Sequence, residues 1–424
     1  MDNQQINNKL LFKLIINKQE LFKIRINSIK GLLLYFLIGG FYMKNKKIQD
    51  NSISILGLGN GGHAFAAYAK SKGYKVKIWN RSRSVLKAIK KNKGVTSSGL
   101  LEGHFDIDFV SPSIHKVIEE SKLIMVVTTA NAHKEIAARI APYLDDNQIV
   151  VLNPGRTGGA IEVSNSIREN NGPFKPQVVE AQSLLFVSRC SKPGQVTISG
   201  IKRRVPVSAF PSCDNNEIIP FLSDLNSAFG ETESVLNTSF DNIGAIFHPT
   251  PLLLNVARCE DPNVHYRHYI DGVSPSVASF LEKMDNERVT VAAAYGVRAI
   301  TLQKWLHSVY GSNGSNLCET IHNTKEYQNV MAPSTLNVRY IFEDIPTGLI
   351  PLASFGEAAE VQTPFINAII NLANCMFNKD YRSLGRTIES LELHKIPFYL
   401  LKEYVTLADE FYIEIMKQES VLEK

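Results

Sequence analysis

Ile53-Ser54-Ile55-Leu56-Gly57-Leu58-Gly59-Asn60-Gly61-Gly62-His63-Ala64-Phe65-Ala66 joins a short apolar strand to a helix through a glycine-rich turn. Gly57 suits a tight strand-to-helix turn, Gly59 lets the backbone approach a pyrophosphate, and Gly62 lets the new helix pack close to the sheet. The pyrophosphate would sit at the helix N-terminus, where unpaired N–H groups and the positive end of the dipole favour an anion. Glycine-rich turns also arise for conformational reasons alone, so context decides. A helix over residues 62–72 stops at Gly73, and Tyr74-Lys75-Val76-Lys77-Ile78-Trp79 follows as an alternating second strand. Strand, turn, helix and strand of that length form one βαβ unit of a dinucleotide-binding fold.

The end of the second strand selects the cofactor. NAD sites usually carry Asp or Glu about 20 residues past the glycines, to accept hydrogen bonds from the ribose hydroxyls. Here Asn80-Arg81-Ser82 stands instead. No carboxylate repels a 2′-phosphate there, and Arg81 and Ser82 can hydrogen-bond it, so NADP(H) is favoured and NAD(H) remains open. The expected cofactor contacts are Gly57, Gly59, Asn60, Gly61, Gly62, Asn80, Arg81, Ser82 and Thr128, the last at the end of the apolar strand 123–128.

Strand and helix signals alternate beyond this unit. A continuous apolar strand at 123–128, a helix at 132–144 and a strand at 148–152 argue for a parallel, doubly wound sheet with both faces covered by helices. Asn153-Pro154-Gly155-Arg156-Thr157-Gly158-Gly159 then turns into a helix through residue 168, followed by a strand at 177–181. Shorter strand-like pieces at 196–199 and 204–207, a helix near 217–229 and a strand near 232–235 complete the first domain, placed at residues 51–236. From residue 240 to 424 apolar residues recur at helical spacing, notably at 277–295, 362–377 and 398–416, so a second domain is α-helical. The fold class is α/β: a Rossmann domain followed by an all-α domain, with the active site between them.

With 424 residues there is length for two substantial cores. The net charge of +5 is concentrated: residues 1–42 hold five Lys and one Arg against Asp2 and Glu20, which leaves +1 for everything else. No basic face for nucleic acid is implied. The apolar run from Gly31 to Met43 is shorter than the about 18–20 residues a membrane span needs, and no membrane partner is expected. Residues 1–50 read as an extension, either disordered or with a misassigned start; translation beginning at Met43, which would leave out residues 1–42, is the preferred reading. Cys190, Cys213, Cys259, Cys318 and Cys375 are odd in number and form no CxxC pair, so they read as reduced thiols of a cytoplasmic protein. His265 and His268 are spaced as metal ligands could be, but no third ligand stands nearby, and no metal is expected.

Two polar motifs in the helical half stand out. In Asn242-Ile243-Gly244-Ala245-Ile246-Phe247-His248-Pro249, the histidine follows an apolar run; Arg339-Tyr340-Ile341-Phe342-Glu343-Asp344-Ile345-Pro346 supplies candidate partners. A histidine is the natural acid/base near neutrality, and a carboxylate on its other nitrogen orients the ring and stabilises imidazolium. Asp344 fits that role, and Arg339 fits a clamp for a substrate carboxylate. By spacing alone, a lone histidine beside an apolar run is more often a satisfied core residue, and an arginine near an aspartate more often a structural ion pair.

Resemblance adds to this. The glycine turn at 57–64, the segment 151–159, Glu180-Ala181-Gln182, Phe247-His248-Pro249, Tyr269-Ile270-Asp271-Gly272-Val273-Ser274-Pro275 and Arg339-Tyr340 with Glu343-Asp344-Ile345-Pro346 together resemble the octopine/nopaline (opine) dehydrogenase family, from about residue 52 to 393. The resemblance implies a Rossmann domain joined to a helical one. It also implies NAD(P)H-dependent reductive condensation of an amino acid with an α-keto acid such as pyruvate. Carried over, His248 corresponds to the family's catalytic histidine, Asp344 to the aspartate paired with it, and Arg339 to the arginine that contacts substrate carboxylate. Asn153 and Arg156, just beyond a strand's carboxyl end, are expected as further substrate contacts. The expected partners are the amino acid and the keto acid, with a homodimer compatible. Two other readings stay in view. A dehydrogenase of a simple hydroxy or phospho acid shares the two-domain plan but normally uses a central lysine, and a nucleotide-sensing protein would hold NADP without reaction.

Overall fold

The structure, a computed structural model, describes residues 51–171 and 176–408. The expected extension at 1–50 and the last part of the helix expected at 398–416 lie outside the described residues. Twelve strands are described: β1 (Ser52–Leu56), β2 (Lys75–Trp79), β3 (Gly94–Gly99), β4 (Gly103–Asp106), β5 (Phe109–Val110), β6 (Leu123–Val126), β7 (Ile149–Leu152), β8 (Gln177–Ala181), β9 (Phe186–Lys192), β10 (Gln195–Ile201), β11 (Val205–Phe210) and β12 (Phe229–Glu231).

Eight of them form one sheet in the order β12-β11-β8-β7-β6-β1-β2-β5. Ile53 stands opposite Leu123 and Leu123 opposite Ile149, in parallel register. The departure from the expected parallel sheet is its β11-β12 edge: β11 runs antiparallel to β8, and β12 runs parallel to β11. The apolar runs of β6 and β7 are buried on both faces, and their alternate residues feed two cores. Ile124, Val126, Val150 and Leu152 join a core that extends through the helical half to Phe247, Leu352 and Tyr404. Leu123, Met125, Ile149 and Val151 join the other, with Ile53, Ile55 and Phe65.

Helices cover both faces, as expected: Asn60–Ser71 and Asn215–Leu225 pack on this second face, His133–Ile140 and Gly159–Asn171 on the first; what the sequence did not announce is a further layer. Strands β4-β3-β10-β9 make a separate four-stranded sheet, which packs on the helix Asn60–Ser71. Phe186 of β9 meets Phe65 edge-on at 4.9 Å. His63 Nε2 accepts the Gly194 N–H at 3.0 Å while its Nδ1 lies 2.9 Å from the Gly59 carbonyl. A correction concerns residues 232–235: the last strand is β12, earlier in the chain, and Val235 opens the helix Val235–Phe240. Ser234 caps that helix reciprocally with Asn237, which the β-branched run did not signal.

Beyond residue 240 the described chain is helical apart from an isolated bridge between Arg267 and Met331. Pro275–Ala294, Leu302–Tyr310 and Pro364–Phe377 are its main helices. Ser274 and Thr301 cap the first two by accepting from Val277 N and Lys304 N. Arg288, fully buried, donates to Asp285 at 2.7 Å and to the Phe240 carbonyl at 2.6 Å, which ties the longest helix to the segment that carries His248.

Candidate active site

The chain runs from β1 outward to β2 and β5, then crosses to β6 on β1's other side, so the order of strands reverses between β1 and β6. Ligands of open α/β sheets bind beyond the carboxyl ends of the strands at such a point. Gly57 occupies it with φ +104°, and its N–H reaches the Trp79 carbonyl at 3.0 Å. A Cβ on Gly62 would lie 1.9 Å from the Gly57 carbonyl oxygen, so the turn closes only with glycine there.

Gly59 is different, because nothing lies within 4 Å of the place its Cβ would take. The helix Asn60–Ser71 behind it has no side-chain cap and no acidic residue in its first turn. Its first N–H groups are therefore available to an anion. Thr128 Oγ1 and Asn153 Oδ1, just past β6 and β7, are buried without a hydrogen-bond partner, which marks polar ligands still to be met. This set of donors, with the Asn153 acceptor, fits the pyrophosphate and sugar of a dinucleotide.

Two expected cofactor contacts spend their side chains on the protein. Asn60 Oδ1 accepts the Cys190 N–H at 2.8 Å, which fastens β9 to the turn. Asn80 Oδ1 accepts the Leu58 N–H at 2.9 Å, which fastens the turn to the end of β2. Arg81 and Ser82 are exposed; Ser82 shares a 2.8 Å hydrogen bond with Ser84, and no hydrogen bond or ion pair engages Arg81 among the described residues.

The residues expected to carry chemistry come together. His248 ends the short helix Ile243–Phe247, and its Nδ1 lies 2.8 Å from Asp344 Oδ2 across 96 residues of sequence. Tyr340 stacks on the imidazole at 4.5 Å between ring centroids, 16° from coplanar. Asp344 is 0% exposed, His248 17%, so the pair is shielded with one edge open. Nε2 of His248 makes no hydrogen bond with any described residue. Burial pushes the imidazole below its ordinary 6.5, and the Asp344 charge opposes this without overcoming it. For Asp344 burial acts upward, but Arg156, His248 and Arg339 together hold its carboxyl below the usual range.

Arg156, expected as a substrate contact, lies among protein groups beside Asp344. Its Nη2 lies 3.1 Å from Asp344 Oδ1 and 3.6 Å from Glu343 Oε2, and its Nη1 donates to Asn242 Oδ1 at 3.2 Å. Protein groups thus stand at both Nη atoms, and the charge of Arg156 lies against Asp344, while its buried Nε has no hydrogen-bond partner. Gly244 makes room for this: a Cβ there would stand 2.8 Å from Arg156 Nη1 and 2.9 Å from His248 Cε1. Arg339 is 45% exposed; its guanidinium lies 3.6 Å from Glu343 and 5.4 Å from the centroid of the Tyr340 ring, and retains free donors.

The sequence did not point to the supports of this loop. Glu343 Oε1 accepts the Ala130 N–H at 3.0 Å, which joins the segment after β6 to the one carrying Asp344. Arg386, buried, donates to the carbonyls of Gly155, Thr157 and Ala130 and to Glu162. No local pattern around Arg386 signals this role. His268 packs against Tyr340 and Tyr269, and burial pushes its ring down to about 3. Among the described residues no group of three or more His, Cys, Asp or Glu is arranged to hold a metal.

Known proteins resemble this chain in sequence and in fold. Residues 231–377 match the model of the α-helical domain of NAD/NADP octopine/nopaline dehydrogenases, and residues 52–169 that of the N-terminus of NAD-dependent glycerol-3-phosphate dehydrogenases. An opine dehydrogenase of Arthrobacter sp. (strain 1C) is 36% identical over 347 residues, 82% of this chain and 96% of that protein. Octopine dehydrogenase solved with NADH and agmatine superposes with a TM-score of 0.69 at 18% identity, covering 84% of this chain and 98% of that one. Yersinopine dehydrogenase with NADP+ bound gives 0.65 at 14% identity, over 83% and 99%. At those identities the solved structures speak for the fold. With the Arthrobacter relative and the model of the helical domain in agreement, the chain belongs to the opine dehydrogenase family of NAD(P)-dependent oxidoreductases.

Proposed function

We propose that this enzyme condenses the amine of an amino acid with the carbonyl of an α-keto acid such as pyruvate and reduces the resulting imine, with NADPH as the preferred donor. The observation that supports it best is the His248–Asp344 pair, 2.8 Å apart and open at Nε2. When bound, the nicotinamide supplies hydride; the protein supplies position and proton transfer. Neutral His248, its Nδ1–H held by Asp344, has Nε2 free to take a proton from the substrate ammonium, which makes the amine nucleophilic. The imidazolium, stabilised by Asp344, can return that proton as the carbonyl oxygen leaves as water. Arg339 holds the keto-acid carboxylate, which orients the carbonyl.

Gly59 and Gly61 bring backbone to the pyrophosphate, and Arg81 with Ser82 meets a 2′-phosphate; the run Asn80-Arg81-Ser82-Arg83-Ser84 carries no carboxylate to oppose it. In this reading the partners are small molecules, the setting is the cytoplasm, and sedimentation distinguishes monomer from homodimer. No helix among the described residues is long and apolar enough to cross a membrane.

NADPH oxidation is to be followed with pyruvate alone, with each of a panel of amino acids alone, and with both. Turnover only when both are present is the expected outcome. Turnover with the keto acid alone makes the protein a hydroxy-acid dehydrogenase, and none under any condition favours a nucleotide sensor.

A further inference from the structure

Lys202 stands one residue past β10, where the second sheet returns toward the active site. Its Nζ donates to Ser183 Oγ at 2.8 Å and its backbone N–H to the Leu185 carbonyl at 2.9 Å. Between them, Leu184 covers the glycine turn: its Cδ2 would lie 2.9 Å from a Cβ on Gly61. Lys202 is thus held beside the dinucleotide cradle. Ser183 lies just past β8, where the Ala181 carbonyl accepts the Gly155 N–H at 3.0 Å and Gln182 Nε2 donates to the Asp241 carbonyl at 2.8 Å, so the Lys202 ammonium stands at the carboxyl ends of β7 and β8, close to the segments that carry Arg156 and its partner Asn242. The guanidinium groups of Arg156 and Arg339 act on it through their charge, and no carboxylate among the described residues pairs with it.

Burial, with the two guanidinium groups adding to it, pushes the Lys202 amine down to about 8. A partly buried cation beside two others is unfavourable unless an anion joins them. Protein groups do not supply that anion. Glu343 is shared by Arg156, Arg339 and the Ala130 N–H, while Asp344 is taken by Arg156 and His248. Three cations face two carboxylates already in use.

The condensation proposed above joins two molecules that each bring a carboxylate. Arg156 is occupied at both Nη atoms, which leaves Arg339 as one anchor and a second to be found. We propose that Lys202 is that second anchor and binds the substrate carboxylate that Arg339 does not take. The assignment rests on the reductive-condensation reading, and its test is kept separate from turnover.

Calorimetry on enzyme loaded with NADP+ measures the binding of pyruvate and, separately, of the amino acid that binds most tightly in a panel. Lys202→Met should weaken one of the two by about 10- to 100-fold, the span of a charge-assisted hydrogen bond. Arg339→Met should weaken the other, and Lys202→Arg should restore most of the loss. Ser183→Ala removes the side-chain tether but keeps the charge, and should bind both substrates normally. If Lys202→Met unfolds, Lys202→Gln makes the same comparison. The proposal is overturned if Lys202→Met leaves both affinities unchanged, if both cation variants weaken the same substrate, if Lys202→Met weakens NADP+ itself, or if Ser183→Ala reproduces its effect. Absence of condensation by the unmodified enzyme would sink the functional reading instead.

Discussion

An imidazole with one nitrogen committed to Asp344 and the other unengaged is set as a base at neutral pH, because burial holds it below 6.5 despite the carboxylate. Activity should accordingly fall on the acid side as His248 takes up its proton, with a midpoint below 6.5 in kcat/KM for the amino acid. Asp344→Asn removes the charge that supports imidazolium, so the midpoint should move lower still while turnover drops. His248→Ala should abolish that limb and reduce turnover by about 10²- to 10⁴-fold. The double variant should be little worse than the more damaging single one, since groups acting as a unit are not additive. A persistent acid limb in His248→Ala, or losses that multiply, would make the histidine structural. Arg81 allows a separate test at the other end of the site. Exposed and unengaged, it should matter to NADPH alone, so Arg81→Ala should narrow the preference over NADH by about 1–3 kcal/mol. Equal effects on both cofactors would remove it from the phosphate site.

Between the strands and the reacting residues lies a buried carboxylate whose influence reaches a whole loop. Glu180, at the end of β8, accepts from the Ala160 N–H at 2.9 Å, Thr238 Oγ1 at 2.6 Å and Ser239 Oγ at 3.0 Å, which joins the Gly159–Asn171 helix to Val235–Phe240. Burial raises its carboxyl from 4.5 to about 7, although these bonds and Arg386 pull the other way. A raised carboxyl binds its proton more tightly when folded, so this residue's contribution to stability declines as pH rises from 4.5 to about 7. The span corresponds to about 3 kcal/mol. Glu180→Gln, whose amide can donate to the two hydroxyls, should flatten that decline; urea unfolding midpoints at pH 5 and pH 8 measure it, and an unchanged slope assigns it elsewhere. Local patterns made the βαβ unit legible, because the glycines, the Gly73 stop and the alternating strand are neighbours in sequence. The second sheet was not legible. Thr96 pairs with Gln195 across a hundred residues, and Gly94–Gly99 is a Gly/Ser/Thr strand without apolar alternation. At the site, His248, Asp344 and Arg339 were readable through family motifs. The occupation of Arg156 by acids and the stapling by Arg386 depend on folded distances that no sequence spacing encodes.

The change from strand to helical periodicity near residue 240 divides the chain in sequence, yet the folded body does not divide in the same way. The core that covers one face of the sheet continues without a break from Leu56 and Val126 through Phe247 and Leu352 to Tyr404. Polar links cross at the same level: the Thr157 N–H meets the Thr347 carbonyl at 3.1 Å, and Arg386 reaches Gly155 and Glu162. To separate the halves would expose this apolar surface and strand buried charges, so each should lose its stability with the other. The chain's two tryptophans report on the two parts. Trp79 ends β2 and belongs to that core, while Trp305 lies in the helix Leu302–Tyr310, packed against the same core and edge-on to Tyr310 at 5.6 Å. Trp305→Phe leaves Trp79 as the fluorophore, and Trp79→Phe leaves Trp305. In urea each single-tryptophan variant should give a fluorescence midpoint that coincides with the loss of its own far-ultraviolet circular dichroism, and NADPH should raise both probes' midpoints together. If Trp79 and Trp305 report transitions displaced from the dichroism in opposite directions, or if cofactor shifts only the Trp79 transition, the halves unfold separately and the shared core does not couple them.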